Sequence, residues 1–139
     1  MAIDTTFNHA RQQELTGTSD VVSTDVYDAG SAKRLFAGAP AIKGCVQVTA
    51  SGGTNPTFRA RFVGADNAGL TTNPEIIADT GVSAALAAAD IPALYELAIG
   101  HQKADKRYYG WIFTQGGTSP TATVNAFLAD LAQSNTVRP

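Results

Sequence analysis

Two alternating runs in the last third of the chain constrain its fold more than any other feature. The first run is Lys106–Thr114 and the second is Thr121–Leu131. Their alternation places Tyr109, Trp111, Phe113, Val124, Ala126 and Leu128 on one side, and Tyr108, Gly110, Ile112, Asn125, Phe127 and Ala129 on the other. A two-residue period is that of a β-strand and not of a helix face. We therefore predict two core strands of an all-β domain, with the first set facing the core.

Five earlier runs also have strand character, and turns rich in Gly, Pro, Asn and Ser separate them. They are Val21–Tyr27, Gly44–Ala50, Thr57–Ala65, Pro74–Thr80 and Ala93–Gly100. The strongest loop signal is Ser51–Pro56, because glycine permits positive φ and the residue before proline is kept out of the α region. About seven short strands of this kind are typical of a β-sandwich or jelly roll. We expect residues 21–133 to form one such domain.

The pairing of the last two runs has two alternatives. Local pairing would join them as a hairpin, with Trp111 opposite Ala126 and Phe127 covering Gly110. A jelly roll would instead carry the chain across to a facing sheet. The five-residue link Gly116–Pro120 permits either arrangement.

Three segments lie outside the predicted strands. Val82–Pro92 is alanine-rich but short, which permits a single helical turn or an extended crossing loop. Residues 134–139 form a polar tail, and residues 1–20 read as an extended N-terminal arm whose isolated apolar anchors are Ile3, Phe7 and Leu15. Such an arm lies on a neighbouring subunit or is a loosely ordered terminus. We place Phe7 in a candidate protein–protein interface.

Composition narrows the classes of partner. The 139 residues carry a formal net charge of -2, so the chain has no strong field for nucleic acid or an anionic membrane. Charged residues are 16% of the chain, below the roughly one quarter usual in soluble domains, which suits broad contact with protein. A single cysteine forbids an intramolecular disulfide. Since no signal peptide or spanning segment is recognisable, we expect synthesis and folding in a cytoplasm.

Reactive side chains are few and isolated. His9 and His101 are the only histidines, and neither has a partner at metal-ligand spacing, so both are predicted to be surface residues. Cys45 lies in a predicted strand and is expected to pack as a small hydrophobe. The acids are scattered over strand ends and turns and form no recognisable catalytic pair. We predict no catalytic, metal or cofactor site and no enzymatic activity.

The outer face of the last two runs is unusual. If the first set faces the core, then Tyr108, Ile112 and Phe127 point outward, where Lys, Thr or Glu would be usual. Another chain or the N-terminal arm would cover them, and we favour a contact between subunits. Arg59 and Arg61 are two apart in a predicted strand and share its outer face; a solvated face is the preferred interpretation and a partner site the alternative. These five residues complete the candidate interface.

Two motifs give the chain a family resemblance. The first follows the arm and consists of Ser23, Thr24, Asp25, Val26, Asp28 and Gly30. The second begins the last alternating stretch and consists of Lys106, Arg107, Tyr108, Tyr109 and Trp111, before a Gly-Thr turn and a Thr-Ala-rich strand. In both motifs and in layout the chain resembles the capsid cement, or decoration, proteins of tailed bacteriophages.

The resemblance implies a jelly-roll-like domain and a structural role in the virion. Members of this family bind the outside of an icosahedral head and bridge neighbouring major capsid subunits as dimers or trimers. By resemblance, the partners expected here are the major capsid protein and further copies of this chain, on the outer capsid surface. The head would be stabilised by burial of apolar surface between the subunits, worth roughly 25 cal/mol per Å² and repeated over the whole shell.

Two other functions are weighed against this one. A carbohydrate- or receptor-binding sandwich of a virion appendage would need aromatic and carboxylate side chains gathered among the loops at one end. The mid-strand position of Trp111 counts against it. A jelly-roll enzyme of the cupin kind would need a cluster of histidine and glutamate ligands, which two isolated histidines do not supply.

Overall fold

A computed structural model describes residues 2–34, 42–99 and 102–130 of the chain. Within these residues the fold is all-β, as predicted, and it forms one antiparallel sheet of seven strands. The strands are β1 (Ala2–Thr16), β2 (Val21–Val22), β3 (Tyr27–Lys33), β4 (Ile42–Ala65), β5 (Glu75–Asp79), β6 (Ala93–Ala98) and β7 (Lys106–Asp130). A single 3₁₀ turn, Ala88–Asp90, lies between β5 and β6.

Two long strands form the centre of the sheet. β4 and β7 run antiparallel along almost their whole lengths, from the pair Ile42 and Asp130 to the pair Ala65 and Tyr108. On the other side of β7, β1 pairs with its second half, and β2 and β3 pair with its first half. On the other side of β4, β6 pairs with the first half and β5 with the second. Every other strand is therefore positioned by β4 or β7.

The predicted breaks at Ser51–Pro56 and Gly116–Pro120 are bends within strands, not chain reversals. Glycines at both bends have left-handed φ, 99° at Gly53 and 101° at Gly117. Each glycine lies against the other strand: a Cβ on Gly117 would be 2.6 Å from the carbonyl oxygen of Asn55, and one on Gly53 would be 2.7 Å from that of Ser119. The two strands bend together because each has no side chain where the other's backbone passes.

This continuity makes the hairpin alternative wrong. Trp111 lies opposite Phe62 of β4 and not opposite Ala126. Gly110 is covered by Leu70 and Val26, whose side chains would lie 3.1 and 3.2 Å from an added Cβ, and not by Phe127. The long partners of β7 are distant in sequence, and local turn chemistry does not reveal them.

The predicted core face is confirmed. All six residues assigned to it are buried and belong to one cluster with apolar residues of β1 and β4: Tyr109, Trp111, Phe113, Val124, Ala126 and Leu128. A Cβ on Gly44 would be 2.9 Å from Cη2 of Trp111, although Gly44 is far from Trp111 in the register of the sheet. The two halves of the bent sheet therefore meet across this core.

Two segments differ from the simple predictions. The N-terminal arm is not confirmed, since Ala2–Thr16 forms β1 and pairs with β7 of the same chain. Val82–Pro92 has features of both alternatives: residues 82–87 form neither helix nor strand, Ala87 is extended, and the turn Ala88–Asp90 follows. The predicted tail, 134–139, lies outside the described residues.

Candidate interaction surface

The described residues contain no group of three His, Cys, Asp or Glu side chains placed to hold a metal ion. Cys45 is only 1% exposed, which confirms its interpretation as a packed hydrophobe. Burial also raises the pKa of its thiol, so that little of the reactive thiolate forms near neutral pH. His101 lies outside the described residues. The predicted interface residues lie on β1, β4 and β7.

The prediction that His9 is a surface residue is wrong. Its side chain is fully buried, with the ring edge-on to Phe62 at 5.9 Å between centroids. His9 Nδ1 lies 3.0 Å from the carbonyl oxygen of Asp25, and the Asp25 N–H donates to the His9 carbonyl at 2.9 Å. These contacts attach β1 to the segment between β2 and β3. Desolvation by burial lowers the pKa of the His9 imidazole below its usual value.

His9 is expected to make stability fall as the pH drops below about 6.5. The unfolded chain then binds a proton on this histidine while the folded chain does not, so acid favours unfolding. Between pH 7.5 and 5.5 the loss from this group is up to about 1.4 kcal/mol, and urea unfolding at both pH values would measure it. In His9→Gln the difference between the two pH values should shrink by that amount. An equal difference in both proteins would contradict the prediction.

Arg59 and Arg61 lie on the outer face of β4, as predicted, and both are paired within the chain. Arg59 makes two hydrogen bonds to the Asp79 carboxylate of β5, at 3.0 and 2.5 Å, and this contact lowers the pKa of Asp79. Arg61 reaches Asp20 at 3.2 Å and Thr114 at 3.0 Å. These bonds hold the arginines against their own sheet, which favours the interpretation as a structural polar face.

Tyr108 and Ile112 also point outward, and their own chain half-covers them. They pack with Val22 and Val26 against a second apolar cluster of Val63, Ala65 and Leu70. Leu70 is 1% exposed and enters this cluster from the loop after β4. This cover comes from the chain itself but from residues outside the predicted arm, 1–20, and it accounts for part of the apolar surface at these two residues. Their role in an interface stays a prediction.

Phe127 and Phe7 complete the predicted interface residues. Phe127 is half-buried on β7, between Asn8 of β1 and Cys45 of β4 in the register. Phe7 lies in β1, and its side chain is outside the described part of the structure. The structure does not gather the five described side chains into one patch, because Phe127 lies on the second half of β7 and the other four border its first half.

The two motifs behind the family resemblance lie against each other. The Ser23 N–H donates to the Trp111 carbonyl at 2.8 Å, and the Trp111 N–H donates to Oγ of Ser23 at 3.1 Å. Asp28 accepts from Nε of Arg107 at 2.7 Å, and this hydrogen bonding lowers the pKa of the Asp28 carboxyl. Tyr27 pairs with Tyr109 in the register. Segments about eighty residues apart thus form one structural unit.

A surface that sequence reasoning missed lies along the outer edge of β4. We call residues 75–98 the edge stretch; it contains β5, the crossing segment and β6. Its backbone follows β4, since the N–H groups of Thr80 and Ser83 donate to β4 carbonyls at 3.0 and 2.9 Å. Among the described residues, all large apolar side chains that are more than half exposed lie here: Ile76 (51%), Val82 (68%) and Leu94 (59%).

The edge stretch contains four acids and no basic residue, yet each acid is held by this chain. Glu75 accepts from the N–H groups of Lys103 and Ala104, and Asp79 from Arg59. Asp90 accepts from the Ala87 N–H at 2.8 Å, and Glu96 lies 3.5 Å from Nζ of Lys43. With its acids occupied, the edge stretch presents mostly apolar and small side chains. Such a surface favours contact with protein.

One signal in the sequence could have found this surface. The segment from Val82 to Ala89 has no charge and consists mainly of alanine. Whether this segment is a helical turn or a loop does not determine whether its side chains are exposed. An uncharged crossing segment that leaves Val82 exposed is unusual in a solvated loop.

No model of a known protein family matches the chain. A search of curated proteins likewise finds no significant match. In the described part of the chain, no helix has the length and apolar character needed to cross a membrane.

Proposed function

We propose that this protein is a non-enzymatic capsid cement, or decoration, protein of a tailed bacteriophage. It binds the outer surface of the icosahedral head, bridges neighbouring major capsid subunits and acts as a dimer or trimer. The observation that carries the proposal is the contact between the two resemblance motifs. Ser23 and Trp111 exchange hydrogen bonds at 2.8 and 3.1 Å, so the residues that match the family are joined in the fold and not scattered over it.

The architecture of the family is part of this proposal. We infer a jelly-roll-like sandwich in which the first halves of β4 and β7 belong to different layers. The approach of Trp111 to Gly44 supports two facing layers, and the joint bend at Gly53 and Gly117 supports strands that pass from one layer to the other.

The edge stretch supplies the contact surface in this proposal. Val82 is 68% exposed and is followed by alanines along an uncharged segment. Burying such side chains against a capsid subunit removes apolar area from water, worth roughly 25 cal/mol per Å². Many weak contacts over one shell then act together, because each bound copy raises the effective concentration of the next contact.

The carbohydrate-binding alternative has less support. A shallow depression of about 330 Å³ lies where β1, β4 and β7 run side by side. It contains the carboxylate of Glu14, but its other lining residues are Leu, Ala, Ser and Thr. Sugar sites usually offer an aromatic face for the ring to stack on, and this depression offers none.

Binding to undecorated heads is the direct test of the proposed function. The wild-type protein should sediment with purified heads that lack it, and Val82→Asp should bind at least tenfold more weakly. A new carboxylate buried at the contact would lose water without gaining a partner. Quantifying bound protein over a concentration series would give both affinities.

Thr118→Asp is the matched control, because Thr118 is exposed at the bend and belongs to β7, not to the edge stretch. It adds the same charge and should bind heads like the wild type. Unfolding in urea should show both variants within about 0.5 kcal/mol of the wild type, as is usual for surface changes. If the wild type fails to bind heads at every salt concentration, the proposed function is wrong.

A further inference from the structure

β6 differs from the other edge strands in one respect: among the described strands only β4 pairs with it, and the strand itself lacks the usual features that protect an open side. β1, β3 and β5 all contain register shifts against their partners, and β2 has only two residues. β6 pairs with β4 through six consecutive residue pairs without a shift, from Ala98 with Lys43 to Ala93 with Val48. Bulges, edge lysines and prolines are the usual devices that prevent an edge from pairing with another strand. β6 has none of them between its first and last residue.

The backbone of β6 leaves hydrogen-bonding groups on that open side. The Ile99 N–H donates to the Ile42 carbonyl at 3.1 Å, so Ile99 points its backbone groups toward β4. Residues along an antiparallel strand alternate in this respect. The N–H and C=O groups of Leu94, Glu96 and Ala98 therefore point away from β4. Groups of this kind bind another extended strand.

The side chains of β6 also leave apolar surface uncovered on both faces. Leu94 is 59% exposed on the outer face. Tyr95 and Leu97 pack against the core cluster, and the Tyr95 ring lies 5.7 Å from that of Phe58, yet both residues are only half-buried. A strand added beside β6 would cover both sets.

We propose that β6 pairs antiparallel with β6 of a second copy, in the register that places Tyr95 opposite Tyr95 of that copy. In this register the outward-pointing Leu94 and Glu96 of one strand meet Glu96 and Leu94 of the other, which gives about four backbone hydrogen bonds. This inference deepens the proposed self-association by naming its surface, and it does not depend on capsid binding.

Charge permits a second copy as the occupant and favours this register. Each Glu96 faces a leucine and keeps its own partner Lys43 at 3.5 Å, so two copies meet with no like charges opposite each other. A register centred on Glu96 would put two carboxylates in direct opposition and is disfavoured. The edge stretch has no basic residue, so an acidic strand from another protein would find no complementary charge on it.

The pairing buries less than the roughly 1,000 Å² of a stable interface, because only six residues per copy take part. We therefore expect a weak dimer in solution, with a dissociation constant of about 10 µM to 1 mM.

Sedimentation equilibrium of the full chain, from about 10 µM to 1 mM, tests the inference. The wild type should show a reversible monomer–dimer equilibrium. Leu94→Glu should raise the dissociation constant at least tenfold, since the introduced carboxylate would face Glu96 of the second copy twice per dimer. Leu94→Lys should keep the constant within about threefold of the wild type or lower it, because the introduced ammonium group would face that same Glu96. Because residue 94 is exposed, both variants should remain folded, and thermal unfolding checks this.

Each outcome bears on the inference separately from the proposed function. A wild type that stays monomeric at 1 mM overturns it, even if the protein sediments with heads. Equal weakening by Leu94→Glu and Leu94→Lys overturns the register. A wild type that dimerises, with the dissociation constant raised at least tenfold by Leu94→Glu but kept within about threefold or lowered by Leu94→Lys, supports the pairing whether or not heads are bound.

Discussion

Gly117→Ala is expected to destabilise the fold by about 4 kcal/mol. Gly117 has a φ of 101°, in a region that residues with a Cβ atom rarely adopt. Placing alanine there costs about 1–3 kcal/mol of backbone strain. An added Cβ would also lie 2.6 and 2.7 Å from the carbonyl oxygens of Asn55 and Thr54. These atoms belong to the backbone of β4 and cannot rotate away, so overpacking adds about 1–3 kcal/mol more.

Gly30→Ala and Gly81→Ala are the controls for this prediction. Both glycines have left-handed φ, 85° and 71°, but nothing lies within 4 Å of an added Cβ. Their loss of stability therefore measures the backbone strain alone, which is about 1–2 kcal/mol. Urea unfolding of all three variants separates strain from collision. If Gly117→Ala loses no more than the controls, the close passage of β4 and β7 at the bend is contradicted.

Gly44→Ala is the second prediction, and it tests the contact between the two halves of the sheet. The new Cβ would lie 2.9 and 3.0 Å from Cη2 and Cζ2 of Trp111 and 3.1 Å from Cδ1 of Ile99. Trp111 is fully buried and has no room to move. We expect a loss of about 2 kcal/mol in the free energy of unfolding.

Trp111→Phe provides the partner for a double-mutant cycle. Phenylalanine lacks the two indole atoms that the new methyl group would meet, so it leaves space where Gly44→Ala adds volume. The double variant should therefore be about 1–2 kcal/mol more stable than the sum of the single losses predicts. Strict additivity would show that residues 44 and 111 do not touch. The far ends of the sheet would then not be packed together.

The sequence predicted which side chains face the core because that property is local. Successive residues of a strand point to opposite faces, so the alternation from Tyr109 to Phe113 and from Val124 to Leu128 determines a face without knowledge of any partner. The predicted strands at β5 and β6 agree with the structure to within a residue or two for the same reason.

The loop predicted at Ser51–Pro56 and the hairpin alternative at Gly116–Pro120 are wrong because the same residue types occur in tight turns and in bends within strands. Gly and Pro clusters mark tight turns, and they also mark bends and bulges inside long strands. Ser51–Pro56 and Gly116–Pro120 lie opposite each other, and only their joint presence makes a bend. The residues of either segment alone do not distinguish a bend within a strand from a turn between two strands.

The candidate surface was only partly predictable. The outer-face positions of Arg59, Arg61, Tyr108 and Ile112 followed from alternation, but their partners Asp79, Asp20 and Leu70 come from other parts of the chain. The burial of His9 had no signal in the surrounding residues, since it depends on Phe62 and Asp25 coming together. The exposure of Val82 and Leu94 likewise depends on which strand lies at the edge.

By itself, the sequence determined an all-β chain, the core face of the two alternating runs in β7, the outer face of Arg59 and Arg61 in β4, and the absence of a strong charge. The tertiary structure alone decided that β4 and β7 are partners, that Tyr108 and Ile112 are half-covered by their own chain, and that residues 75–98 form the open edge. The physical reason is how far apart in the chain the interacting residues lie. Side-chain direction is set by neighbouring backbone dihedral angles, whereas pairing and cover depend on contacts between residues far apart in the chain.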